Sequence, residues 1–495
     1  MTNARAVRMH QLLIAFVLLI AAGGCDGGGG TPATASNPNN RPDDAAPVIV
    51  SARIVCRLIA DNAGARAATI TGADGSQSVV AGGRGYWFFG DTVRSGPGGR
   101  ADIIPAAVAT TDDTDGSNCI DLEFKATGGI VQPLFPRADE TTAWPDGVLA
   151  LDDGSILFYM VKAYRQSPFA WNVGAVGLGR VPPGSLSGVR VSEKIWDENS
   201  GFGARVGGVR SPLLAGDDVI AYLRTDAGAN YVARAPLDRI EQAGAYTYWT
   251  GEAWSREPSD AAPIWVDAPS TLPADNGVQV TRDERSGKWM AIYNGHLSSI
   301  KARVADEPWG PWSEPVTWID CRTFVEDVYP YCYSAELHQE LTRDHGRTMY
   351  ATVSSQKPYD VTLIELHRGV AIHEWHGADG ALRYAQNSPG DGYEDRGTAF
   401  YASDIAAPGL SPMYERTSGD GVSYTGAPPD ASARPAFFVH LQPNDGPVPT
   451  RPVYRWRRDN TEALSVRDLD GWERGSIAFY VPCADALSEN SDCER

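Results

Sequence analysis

Short β-rich runs broken by Gly, Asp and Asn turns fill this chain from about residue 48 to 368, with little sustained helical periodicity. Such a body cannot bury its apolar side chains along helix faces, so it is predicted to be all-β. One run stands out: Tyr86, Trp87, Phe88 and Phe89 lead into Gly90, Asp91 and Thr92, an apolar strand that ends in an acid. Four hairpins follow. The first runs from Gly147 to Leu151, turns at Asp152, Asp153 and Gly154, and returns through Ile156 to Met160. The next has Leu213 and Leu214 before Val219 to Leu223, and the third has Val278 to Arg282 facing Lys288 to Tyr293. The last has Glu340 and Leu341 before Met349 to Val353. With the opening segment these make five units at propeller-like spacing, which predicts a five-bladed β-propeller; a large β-sandwich is the alternative.

Residues 1–25 carry Arg5 and Arg8, an apolar run from Leu12 to Ala22, and then Gly23, Gly24 and Cys25. The run is too short to favour a spanning helix. Small residues before a cysteine resemble the lipobox of bacterial lipoproteins, which makes Cys25 the expected acylated N-terminus of an exported protein in the cell envelope. The choice between inner and outer membrane stays open. Residues 26–47, mostly Gly, Thr, Pro, Ala, Ser and Asn with almost no large apolar side chain, read as a flexible tether. Six cysteines remain, an export signature: Cys56, Cys119, Cys321, Cys332, Cys483 and Cys493. Close spacing favours Cys321 with Cys332 and Cys483 with Cys493, leaving Cys56 for Cys119. A zinc site lacks a C-x-x-C pair or an adjacent histidine.

The formal charge of −19 argues against nucleic acid and anionic lipid as partners and suits a neutral polymer such as a polysaccharide. No cofactor is expected, with a structural calcium or sodium ion on the propeller axis left open. A monomer is expected.

Beyond residue 368 a weak repeat of about forty residues appears. Ile372 to Trp375 leads to Gly397 to Tyr401, Met413 to Glu415 to Ala436 to Phe438, and Val453 to Trp456 to Ile477 to Tyr480. Three such units predict a β-trefoil-like domain over 369–483, followed by a tail at 484–495. Gly471 to Gly475 in the third unit resembles the repeat domain known as domain of unknown function 5648, and carbohydrate binding is the role expected by analogy.

The body, 48–368, resembles the family known as domain of unknown function 4185. The resemblance rests on Phe88 to Thr92, on Ala233 to Pro236 leading to Tyr248 to Gly251 and Trp254, on Gly310 to Ser313, and on His338 to Leu341 followed by Gly346 to Met349. It implies a five-bladed propeller related to glycoside hydrolases that include bacterial endo-D-arabinanases. An endo-arabinanase-like hydrolase acting on a furanose polysaccharide, by an inverting course, is what it implies for function. A non-catalytic carbohydrate-binding lipoprotein is the alternative.

A propeller glycosidase needs two carboxyl groups across its central cavity. Asp91 is the candidate base, or else the acid of an Asx turn. Asp146, after Trp144 and Pro145, is placed on the same rim, where it would tune a neighbour or orient the sugar. Glu340 is the candidate general acid, expected on one strand face with His338 and Glu336; Glu198 is its rival. Trp144, His338 and Glu336 are the candidate substrate contacts, and Trp171, Trp249 and Trp312 are further candidates for stacking on sugar rings. No G-x-S-x-G elbow, phosphate loop or metal-binding helix motif is present.

Overall fold

Within the computed structural model, the residues described are 46–95, 101–135, 141–167, 170–197, 209–224, 228–266, 278–295, 299–325, 332–378, 380–418, 421–444, 447–459 and 461–483. Cys25, residues 26–45 of the tether, Glu198 and Cys493 lie outside them, as do the side chain of Trp171 and the C-terminal tail; Ala46 and Pro47, read as the end of the tether, are buried, and the Pro47 carbonyl accepts from Trp318 Nε1 at 2.7 Å. The protein is nearly all-β, and the single α-helix among the described residues is Ala63–Ala67, capped by the Asn62 side chain.

Five antiparallel sheets of four or more strands, with two smaller ones, form the body among the described residues, and each of the five opens with a strand whose residues line one shared cavity. These inner strands are Gln77–Ala81, Thr141–Ala150, Val209–Ala215, Gln279–Arg282 and Tyr333–Leu337. In each sheet the chain then steps outward by hairpins, which is the cheapest way to pair consecutive strands. The fifth sheet takes its outermost strand from the other end of the body: Ile49–Arg57 pairs with Tyr359–Arg368.

Glutamines brace neighbouring inner strands. The Gln77 side chain accepts from the Gly147 backbone N–H at 2.5 Å, and Gln279 Nε2 donates to the Leu337 carbonyl at 3.0 Å while its Oε1 accepts from the Leu337 N–H. An amide has one donor group and one acceptor, so it can satisfy an inner strand's free backbone edge where no further strand can pair.

The hairpins expected at 147–160, 213–223 and 278–293 form as read. The fifth unit differs. Its inner strand is Tyr333–Leu337, whereas Gln339–Leu341 makes one turn of 3-10 helix, so Glu340 and Leu341 do not belong to a strand. Left-handed backbone at Asp344, His345 and Gly346 turns the chain back into Thr348–Gln356.

The C-terminal part holds three three-stranded sheets, in which Ile372 pairs with Phe400, Met413 with Phe437 and Val453 with Phe479. All six residues enter one buried cluster, because each unit is too small to cover its own apolar face. This part meets the body through Ser51 Oγ donating to the Pro408 carbonyl at 2.6 Å and through the Gly369 N–H donating to the Val48 carbonyl at 2.8 Å.

Two disulfides follow the expected pairing, Cys56 with Cys119 and Cys321 with Cys332, at Cα separations of 5.7 and 6.0 Å. Cys483 is disulfide-bonded as well.

Candidate active site

The first hairpin places the site. Gln77 pairs with Phe88 across its two strands, and counting three residues outward on each side reaches Asp74 and Asp91. A small sheet keeps the same register one step further out, pairing Ala73 with Thr92. The Gly90 N–H donates to the Asp74 carbonyl at 2.6 Å, so the two acids are held side by side beyond the start of the inner strand. Gly90 is required there, since a Cβ on it would lie 2.5 Å from Asp74 Oδ1.

Aromatic side chains frame the pair. Trp144 Nε1 donates to Asp91 Oδ1 at 2.8 Å, the Tyr333 hydroxyl donates to Asp74 Oδ2 at 3.1 Å, and the Tyr359 hydroxyl donates to the Asp91 carbonyl at 2.8 Å. Asp74, Asp91, Trp144 and Tyr359 are each partly exposed, so solvent reaches the cluster. Burial against the surrounding protein, then the charge of Asp91, push the Asp74 carboxyl up to about 7; the bonds from Tyr359 and Tyr333 offset part of that rise. A carboxyl near 7 is poised to give or take a proton at neutral pH.

Asp146 lies further along the axis. It shares a strand face with Trp144 two residues earlier, is buried, and receives Gln77 Nε2 at 3.4 Å.

Glu340 belongs to a second cluster. Its carboxylate accepts from Ser78 Oγ, which also bonds His338 Nδ1 at 2.5 Å; His338 Nε2 bonds Thr352 Oγ1 at 2.8 Å, and Thr352 Oγ1 bonds Ser76 Oγ at 2.6 Å. Burial raises the Glu340 carboxyl and lowers the His338 ring to about 3, which keeps that ring neutral. Ser78 stands four residues beyond Asp74, at most about 13 Å of extended chain. The carboxyl held beside Asp91 is that of Asp74, and Glu340 is bonded instead to Ser78.

Two further expectations change, those for His338 and for the pair Trp249 and Trp312, whereas Glu336 stays at a cavity. His338 is fully buried and stacks on Trp87 with ring centroids 4.3 Å apart, so it cannot touch a substrate. Glu336 is buried in its strand and, with Glu340 and Gln339, lines the axial cavity of about 360 Å³ at the later ends of the inner strands. Trp249 packs on Trp254 and Trp309, and Trp312 packs edge-on against Trp265, so these indoles serve the core of the third and fourth sheets. Among the described residues no group of three or more His, Cys, Asp or Glu side chains gathers as a metal would need.

Asp74, Tyr333 and Tyr359 are absent from the sequence reading. The hairpin register could have found Asp74, because the count that leads outward from Phe88 to Asp91 leads from Gln77 to Asp74. The tyrosines lie some 260 residues away in the chain, and no local signal reports them.

Solved structures with similar folds share little sequence. A chain from Bacteroides ovatus is 12% identical, with 60% of this chain and 86% of that one covered at a TM-score of 0.43. An α-L-arabinofuranosidase from Clostridium thermocellum is 13% identical, with 64% and 94% covered at 0.38. A β-xylosidase/α-arabinofuranosidase of glycoside hydrolase family 43 from a compost metagenome is 10% identical, with 68% and 98% covered at 0.39. At such scores activity is read from the residues of the site and not from the likeness. No protein with a curated description matches the chain. The model of the family described as Domain of unknown function (DUF4185) matches residues 214–365, within the stretch where the sequence resembles that family.

Proposed function

We propose that the chain is a glycoside hydrolase that cleaves a furanose-containing, arabinan-like polysaccharide, built on a five-bladed β-propeller and carried on the cell envelope as a lipoprotein. The observation that carries this reading is the Asp74 and Asp91 pair: two partly exposed carboxyl groups held together at one end of the inner strands, one of them raised to about 7. Glycoside hydrolysis needs that asymmetry, a neutral acid beside an ionised carboxylate.

Asp74, protonated, gives its proton to the oxygen of the leaving sugar as the glycosidic bond breaks. Asp91 meets the positive charge that develops at the anomeric carbon, and Trp144 fixes the Asp91 carboxylate while offering an indole to the sugar. Asp74 and Asp91 lie just outside the strands, between the pairs Gln77 with Phe88 and Ala73 with Thr92 of one register, and an opposed pair that keeps such a register has Cβ atoms within about 5.5 Å. Such closeness favours a retaining course, in which Asp91 attacks carbon and water later releases the sugar through Asp74 acting as base, over the inverting course implied by the family resemblance, which needs carboxyl groups roughly 6.5–9.5 Å apart. The neutral substrate suits the formal charge of −19. We assign the three C-terminal sheets to a β-trefoil-like module that holds the same polymer.

The test is product release from arabinan, arabinogalactan and related polysaccharides by the parent and by Asp74→Asn and Asp91→Asn. Oligosaccharides from the parent alone, with the product anomer followed by NMR, support the hydrolase and assign its stereochemistry. Glycan binding by all three with no turnover by the parent makes the chain a binding protein instead.

A further inference from the structure

Three arginines converge on a second cavity, of about 240 Å³, on the third sheet: Arg234, Arg239 and Arg256, joined by Gln242, Thr247 and one acid, Asp218. Arg234 and Thr247 are direct cross-strand neighbours, Arg239 follows in a 3-10 turn, and Arg256 comes just after the strand Trp254–Ser255, so a single local excursion of the chain gathers all three.

These arginines are poorly compensated in a protein rich in acids, with 62 Asp and Glu against 43 Lys and Arg. Several arginines elsewhere hold carboxylates closely, as Arg368 holds Asp283 and Arg322 holds Asp320, each at 2.7 Å. Here Arg234 reaches Asp218 only at 3.6 Å and Arg239 reaches Asp238 only at 4.0 Å, while Arg256 has no ion-pair partner among the described residues. The Arg234 guanidinium is held over the Trp254 ring, 4.2 Å from its centroid, which pre-orients its N–H fork. Three forks converging on a concave pocket with one carboxylate among its lining residues leave a local excess of two positive charges, the arrangement that recognises planar or tetrahedral oxyanions.

We propose that this cavity is a binding site for an oxyanion, a carboxylate or a phosphate, borne on a unit no larger than about one sugar. Its volume lies below the roughly 300 Å³ at which drug-sized pockets begin, which sets that limit. The site does not depend on turnover at Asp74 and Asp91.

Calorimetric titration of the full chain with sodium glucuronate, with inorganic phosphate and with glucose as the neutral control tests it, alongside Arg239→Gln, Arg256→Gln and the double variant. Both arginines are exposed, and unchanged circular dichroism and melting will show that the variants fold. The result expected is saturable binding of at least one anion, weakened by salt, silent for glucose, and about tenfold weaker for each arginine removed. Glucuronate alone identifies a carboxylate site, phosphate alone a phosphate site, and both a general oxyanion site. No binding of either anion, or equal binding by the parent and the double variant, overturns the proposal.

Discussion

Two acidic centres in the body have opposite surroundings. Glu365, on the strand Tyr359–Arg368 of the fifth sheet, faces Arg53 on one neighbouring strand and Tyr350 on the other, with His367 two residues along on the same face. Burial alone would raise its carboxyl, but the bonds from His367, Tyr350 and Arg53 outweigh that and hold it down at about 2. Asp74 faces another carboxyl group and two phenols, and is pushed up to about 7 by burial and by Asp91. A stabilising acid is surrounded by donors and a cation. An acid left beside its own kind is the arrangement that burial and charge repulsion make costly, and it is on that ground that Asp74 and Asp91 are the proposed site.

That contrast breaks first, and most visibly, at the pair itself. Asp74→Asn and Asp91→Asn are each expected to lower kcat by about 10³-fold or more while leaving melting unchanged or higher; turnover within tenfold of the parent would remove the assignment. Gly90→Ala, whose Cβ would displace the Asp74 carboxyl, should cost about 10²-fold in kcat, measured on the same substrate.

Glu365→Gln should leave turnover per folded molecule intact and cost on the order of 3 kcal/mol at pH 7, read by denaturant titration. The depressed carboxyl contributes stability above its ordinary value of 4.5, lost as pH falls through about 2, so the cost should vanish in strong acid. The sign reverses at Asp74. The native state prefers its protonated form, so stability falls as pH rises from the ordinary 3.8 through about 7, and Asp74→Asn should flatten that slope. In activity the same titration appears as a fall of kcat/KM above about pH 7.

The smallest effect sharpens the comparison. Glu340→Gln should change kcat by less than about fivefold, because Glu340 bonds Ser78 in the other cluster; a loss of about 10³-fold would restore it as the acid.

Much of this was legible along the chain. Alternation and turn chemistry give the hairpins, the apolar run into Gly90 and Asp91 marks one acid of the pair, and the recurring aromatic positions mark the three C-terminal units. Cross-strand register even contained Asp74, by a count outward from Gln77 and Phe88. These are short-range properties, decided by a period of two residues and by which residues can turn.

Packing between distant sheets decided the rest. Tyr333 and Tyr359 arrive at Asp74 and Asp91 from the fifth sheet, which takes its outer strand from Ile49–Arg57. Whether Glu340 faced Asp91 or Ser78 depended on a 3-10 turn after Leu337, and whether His338 met substrate or lay under Trp87 depended on the packing of the first sheet against the fifth. Side-chain type in a sequence states what a group can do. Its pKa and its partner come from which distant strand the fold brings alongside, and that is set by burial across the whole body, not by any one segment.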